Sequence, residues 1–293
     1  MKGYVLSFSA ILLLSSMLLF SMFYSENINS RNLSVNEIKK YSKLEFIKDD
    51  LGFDANKITG TSIQVNRGDE LEITFNEVIP SNIDKMQRIT RFKEFIEKSY
   101  SAINNSSVEL NIRRMNTQRP GKIPIKFSNK LNYDYVFGSG GDYVLFYADG
   151  IDTNINSMDL NLNVIGSSVE VTKPVFASVP NINVNFNYID QNALNEKHEI
   201  LQLNSAQDNV IKIRFSDNLN DIIEIHIGSF DSTINGIKVW NKTIQQKIIG
   251  LGFKPKMDSI NPDSSFRAFL DADLIYSQTD LNSNSLLELK QLS

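Results

Sequence analysis

The order of hydrophobic and polar positions divides the chain into three regimes. Residues 4–24 (YVLSFSAILLLSSMLLFSMFY) carry no charge and are apolar at most positions. At 1.5 Å per residue such a run makes a helix of about 30 Å, the thickness of a bilayer's hydrocarbon core. Residues 34–52 follow a helical period. Val35, Ile38, Tyr41, Leu44, Ile47 and Leu51 form one stripe, and charged residues fill the remainder. Ser34 and Glu37 have capping-box spacing at its start, and Gly52 suits a left-handed stop. The Asn-rich SENINSRN between the two segments predicts a break.

Beyond residue 58 the period falls to two. In ELEITFN, Leu71, Ile73 and Phe75 alternate with polar residues, and in VELNI so do Val108, Leu110 and Ile112. NINVNFNY is the clearest case, with Ile182, Val184, Phe186 and Tyr188 on one face and Asn at each position between. KIPIKF, LNLNV, IKIRF and IIEIHI alternate in the same way. Short strands with one wet face, separated by Asn, Asp, Gly, Ser and Pro, predict an antiparallel sandwich. Asn235-Gly236, between STI and IKVW, predicts a two-residue hairpin turn. One helix interrupts the strands, over residues 81–102. Ile83, Met86, Ile89, Phe92, Ile96 and Tyr100 form its stripe, with Phe95 beside it, and this reads as a core face. The expected fold is therefore mainly β: an N-terminal transmembrane helix (residues 1–25), an amphipathic stalk helix (26–56) and an antiparallel β-sandwich-like head with one packed helix (57–293). YIDQNALNEK, residues 188–197, is a candidate subdivision of the head.

A secretory signal has a shorter apolar region followed by a small-x-small cleavage site. FSMFYSEN offers no such site, so the segment reads as a retained anchor. Lys2 and the α-amine flank it on one side, and Arg31 is the nearest base on the other. Positive residues stay inside, which places the N-terminus in the cytoplasm and the C-terminal domain outside. The stretch MKGYVLSFSAILLL resembles the short class III leaders of archaeal type IV pilin-like proteins, which place a basic residue and Gly before an uncharged helix. The resemblance covers residues 1–25 only. It implies processing at Lys2-Gly3, leaving Tyr4 first, a place in the cell envelope, and pilin-like or other envelope subunits as partners. Pilins carry Glu five residues after the cut, and here that position is Phe8.

Composition narrows the function classes. Net charge is −4, and no basic stretch interleaved with aromatics marks a nucleic-acid surface. Cysteine is absent, which excludes disulfides and thiolate metal sites. Asn32, Asn104, Asn105 and Asn241 head Asn-x-Ser/Thr sequons, candidate glycosylation sites in an extracellular chain. In DGIDTNINSMD, Asp149, Asp152, Asn154, Asn156 and Asp159 supply the hard oxygens that calcium prefers, although Ser157 stands where a calcium loop has Gly and the closing Glu is missing. SDNLND offers Asp217, Asn220 and Asp221 in the same sense. Ordinary turn chemistry explains both loops equally well. No cofactor other than this candidate calcium is implied.

Catalytic chemistry finds no foothold. His226 sits in IIEIHI, on the side of Glu224 and opposite the apolar residues, His198 lies in the polar stretch NEKHEI, and no nucleophile elbow, P-loop or H-E-x-x-H motif is present. Gly138-Ser139-Gly140-Gly141 precedes a strand-like run rather than a helix, so it reads as a hairpin turn and not a phosphate cradle. Arg67-Gly68-Asp69 reads as a turn between strands. The expectation is a non-enzymatic, membrane-anchored structural or surface-interaction protein of the archaeal envelope, of minor pilin-like type. The alternative is a calcium-assisted, lectin-like glycan-binding sandwich.

Overall fold

The structure is a computed structural model. It describes the backbone of residues 2–67, 71–112, 121–128, 131–148, 155–174, 179–191, 196–215, 220–231, 234–244, 247–257, 267–278 and 281–289. The side chains of residues 2–14, 27–37, 65–67, 71–72, 155, 230–231, 234, 257, 278 and 281–282 lie outside the description. Two compact units result, Met1–Asp49 and Asp50–Ser293.

One helix, α1 (Lys2–Thr59), covers both expected N-terminal helices. The break predicted at SENINSRN does not occur. Ser and Asn cost a helix only about 0.5 kcal/mol each relative to Ala, too little to stop one with apolar turns on either side. Nor does α1 start at Ser34 or end at Gly52. Gly52 is buried inside it, and the left-handed stop falls at Gly60, with φ +61°. The Thr59 hydroxyl donates to the Asn56 carbonyl at 2.9 Å, satisfying one terminal acceptor. The predicted stripe is only partly covered: Leu44, Ile47 and Leu51 are buried, joined by Ala55, while Ile38 and Tyr41 are exposed. Among the described residues no helix is long and apolar enough to cross a membrane. Residues 4–14, half of the uncharged run, have no described side chains.

The remaining described chain is mainly β. In order come β1 (Ser62–Arg67), β2 (Leu71–Ile79), β3 (Ser107–Ile112), β4 (Gly121–Phe127), β5 (Leu131–Phe137), β6 (Tyr143–Ala148), β7 (Ile155–Ile165) and β8 (Ser168–Thr172). They are followed by β9 (Ile182–Asp190), β10 (Glu196–Leu203), β11 (Asp208–Phe215), β12 (Ile222–Asp231), β13 (Ile234–Asn241), β14 (Ile248–Met257), β15 (Ala268–Gln278) and β16 (Leu281–Glu288). Among the described residues, one sheet has the order β1-β2-β14-β7-β9-β10. The other has the order β16-β15-β4-β5-β6-β13-β12-β11-β8, with β3 also paired to β15.

Alternation drives the two sheets together. Ile73, Phe75, Leu160, Phe186 and Phe253 of the first and Ile125, Tyr133, Phe146, Ile213 and Ile225 of the second are all buried. Their rings interlock: Phe75 stacks on Phe253 at 4.3 Å and on Tyr133 at 5.4 Å, and meets Phe146 at 5.0 Å. Burying side chains of this size contributes about 1.5–3 kcal/mol each. The sandwich-like expectation therefore holds, with one departure from an all-antiparallel plan. β7 and β9 pair in parallel, because the chain visits β8 in the opposite sheet between them.

Other corrections are local. The packed helix begins at Lys85 rather than Ser81. Ser81 N–H is committed to the Tyr135 hydroxyl at 2.6 Å, and Asp84 caps Gln87 N–H at 2.8 Å. Helix α2 (Lys85–Glu94) continues as a π-helical turn, Phe95–Tyr100. It buries Ile89, Phe92, Ile96 and Tyr100 but leaves Phe95 exposed. Asn235-Gly236 is not a turn, because both residues lie within β13 and pair with β6. A Cβ at Gly236 would meet the Phe146 carbonyl at 2.1 Å, so glycine is required there by close backbone approach. Residues 188–197 include the end of β9 and the start of β10, which pair with each other through Tyr188–Lys197 and Ile189–Glu196 in one sheet, so no subdivision falls there.

Candidate functional site

The outer face of the six-stranded sheet is built from the polar half of the alternation. Its register aligns Ser62, Asn76, Gly252, Asn161, Asn187 and His198 in one row across all six strands. Beside it run Val78, Gly250, Asn163, Ile189 and Glu196, and on the other side Lys254, Asp159, Asn185 and Ile200. The amides are mutually oriented. Asn187 Nδ2 donates to Asn161 Oδ1 at 2.8 Å, and Asn185 Nδ2 donates to Asp159 Oδ1 at 3.2 Å. His198 Nδ1 lies 2.8 Å from Asn187 Oδ1 and its Nε2 2.6 Å from Glu196 Oε1. Over the first two of these rows lies a groove of about 720 Å³, whose lining includes Asn76, Asn161, Asn187, His198, Gly250 and Gly252.

Beneath one end sits a buried charged cluster. Glu77 is in phase with Ile73 and Phe75 on β2, so its carboxylate enters the core. Lys85 Nζ donates to Glu77 Oε2 at 2.7 Å and to Thr61 Oγ1 at 3.0 Å. Thr61 and Tyr133 hydroxyls each donate to the same oxygen at 2.8 Å, and Val78 N–H donates to Glu77 Oε1 at 3.0 Å. Lys85 also lies over the Tyr135 ring, 4.6 Å from its centre. Burial pulls the Lys85 pKa below its ordinary value, and Glu77 opposes the shift. Burial, and then the Glu77 charge, push Tyr133 well above its ordinary value. With four donors on one carboxylate, the cluster is saturated. It joins the end of α1, β2, β5 and the start of α2, and it has no valence left for a substrate.

Among the described residues, the expected site residues do not come together in one place. Lys2, Gly3, Tyr4 and Asn32 lie within α1, and their side chains fall outside the described residues. Asn104 donates to the Tyr100 carbonyl at 3.1 Å, whereas Asn105 is exposed at a turn with φ +48°. Asn241 is buried, and its amide donates to Ile79 O at 3.2 Å and Lys247 O at 2.6 Å. A folded head offers no free amide there for a glycan, which corrects that candidate. Of the calcium loop, Asp149, Asp152 and Asn154 lie outside the described residues. Asn156 and Asp159 fall inside strand β7 rather than in a loop. Among the described residues no cluster of three or more His, Asp or Glu could hold a metal. Asp217 is also outside the described residues. Asp221 is buried and accepts from Ile244 N–H at 2.7 Å, a structural role.

The Gly138–Gly141 run joins β5 to β6, as a hairpin turn should, and Gly141 has φ +111°. Gly68 and Asp69 are outside the described residues. His226 lies on the outer face of β12, 3.0 Å from Asp208 and 3.5 Å from Glu224. Burial alone would raise the Glu224 pKa, but Lys242 and Lys212 hold it below the usual range. The sequence reading missed the Lys85–Glu77 pair although a signal was present. Each charge occupies a position in phase with an apolar stripe, 73-75-77 in the strand and 85-89-92-96 in the helix. The polar face was signalled strand by strand, but the amide row forms only when five strand registers agree, three of them between strands that are not consecutive in the chain. Compared with protein-family models, with characterised proteins and with solved structures, the chain finds no match.

Proposed function

We propose that this chain is a membrane-anchored surface protein of the cell envelope. Residues 4–24 would be the anchor, the N-terminus cytoplasmic, and the β-sandwich-like head outside the cell in a structural or surface-interaction role. The supporting observation is the state of α1 near its start. Met17, Leu18, Leu19, Phe20, Met22, Phe23 and Tyr24 are each more than 60% exposed. A helix apolar on all sides needs lipid or protein around it. The uncharged run extends from Tyr4, which gives the length a bilayer requires. The finer reading, a minor pilin-like subunit, rests on the Lys2-Gly3 leader resemblance. It is also supported by the continuity of α1, since an apolar helix running into an amphipathic one is how pilin-like proteins join membrane to head.

The test is carbonate extraction of native membranes followed by mass spectrometry of the mature N-terminus. The anchored reading expects the protein in the carbonate-resistant pellet. A chain beginning at Tyr4 supports pilin-like processing, and one beginning at Met1 supports a plain anchor. A mature chain beginning beyond Tyr24, recovered in the supernatant, would overturn the proposal.

A further inference from the structure

We propose that the groove on the six-stranded sheet binds a neutral polyhydroxylated chain, an oligosaccharide, without a metal ion. Three observations converge on that occupant. The first is charge. No lysine or arginine lines the groove, and the Glu77 carboxylate at its end is turned into the core and saturated. In the flanking rows Lys254 stands opposite Asp159, Asp159 accepts from Asn185 and Glu196 lies 2.6 Å from His198, so neither a polyanion nor a cation finds an isolated counter-charge over the groove.

The second is hydrogen-bonding character. Each amide offers donors and acceptors together, matching hydroxyl groups that also do both. Asn161 and Asn187 are held by each other and by His198, so their orientation is fixed before a ligand arrives. Asn76 and Asn163 have no side-chain hydrogen-bond partner among the described residues. Adjacent strands lie about 4.8 Å apart, close to the length of one pyranose ring. A chain laid along the row would thus meet the amides of Asn76, Asn161 and Asn187, with the open position of Gly252 between the first two and the imidazole of His198 at the end. Val78 and Ile189 form an apolar margin against which the C–H face of a ring can rest.

The third is the glycines. Gly250 and Gly252 have no positive φ, and neither is sterically obligatory. A Cβ at Gly250 would meet its nearest atom, Asn163 O, at an ordinary 3.5 Å. At Gly252 the nearest atom would be Asn76 Oδ1 at 3.3 Å, the end of an exposed side chain. Glycine weakens a strand interior and often marks the close approach of a ligand. Here its presence deepens the groove between Asn76 and Asn161, and the fold itself does not demand it.

The experiment is calorimetric titration of the full chain, held in a detergent without a sugar headgroup. The probes are neutral β-1,4-linked hexasaccharides of glucose, mannose and N-acetylglucosamine, with and without EDTA. The expected result is one-to-one binding of at least one of them, unchanged by EDTA. Gly252→Leu, which fills the groove, and Asn161→Ala, which removes an exposed amide, should each weaken it at least tenfold. Lys212→Ala, on the other sheet, should leave it unchanged. If Gly252→Leu fails to fold, Asn161→Ala alone decides. Binding of none of the three, equal binding by Asn161→Ala, or a strict calcium requirement would overturn the proposal. So would binding of a polyanion such as dextran sulfate alone, or self-association through this face. None of these results depends on whether residues 4–24 anchor the chain.

Discussion

Lys85 and Glu77 are ionic residues placed where the pattern calls for apolar ones, and their stability effect depends on being kept together. Removing one partner leaves the other charged, buried and uncompensated, at about 3–5 kcal/mol. Lys85→Met should therefore lower unfolding free energy by that amount in urea titration. The double variant Lys85→Met/Glu77→Leu should lose clearly less than the sum of the two single changes, since replacing a whole buried pair by apolar groups is often neutral. Tyrosines set the alkaline limit. Burial raises Tyr133 and Tyr135, and pushes Tyr188 up to about 12. Above the ordinary value of 10.0 the unfolded chain loses these protons while the folded one keeps them, so stability falls as pH rises. Lys85 contributes the opposite slope below 10.5, where the unfolded lysine holds the extra proton. Beyond that pH only the tyrosine slope remains. Tm should drop steeply between pH 10.5 and 12, and Tyr188→Phe should flatten the fall. At the sequons, glycopeptide mapping of protein from its native source should find Asn105 modified in preference to Asn104, and Asn241 bare.

At the scale of elements, α1 behaves as two different helices in one. Its last turns are core, with Leu51 fully buried. Leu51→Ala should cost about 2–5 kcal/mol. Ile38→Ala, on the same stripe but exposed, should stay within about 0.5 kcal/mol. Urea titration of both variants would check the contrast. That contrast was not legible in the sequence, where Ile38 and Leu51 hold equivalent places on one period. Periodicity reports which face is apolar and says nothing about how far along a helix the partner surface extends. Strand identity was legible for the converse reason: in NINVNFNY each residue declares its own face. The Asn235-Gly236 misreading shows the limit. Turn chemistry and close backbone approach both select glycine, and only the pairing of β13 with β6 separates them. Likewise the polar face could be foreseen strand by strand, but the row from Ser62 to His198 could not. A one-residue slip in any pair would have moved its amides to the core.

At the scale of the whole molecule the chain carries two exposed surfaces with opposite solvent preferences, an apolar helical segment and an amide-lined sheet face. They make different demands on a partner, and salt separates them from any electrostatic attachment. Each large apolar side chain moved from water into hydrocarbon gains about 1.5–3 kcal/mol, so residues 4–24 together would far exceed the cost of ordering the helix in a bilayer. That gain does not depend on ionic strength, whereas attraction between surface charges is screened within about 3 Å at 1 M salt. The full chain should therefore float with phosphatidylcholine vesicles in a density gradient, and should stay with them in about 1 M salt. Aspartate at the centre of a membrane helix costs about 2.5–3.5 kcal/mol per residue on the insertion scale. Leu14→Asp/Met17→Asp should thus shift the chain toward the soluble fractions while leaving the head's urea midpoint unchanged. Release of the unaltered chain by salt alone would mean that charge, not the apolar run, holds it to the surface. The anchor would then have to be sought among the basic residues that follow Asn36.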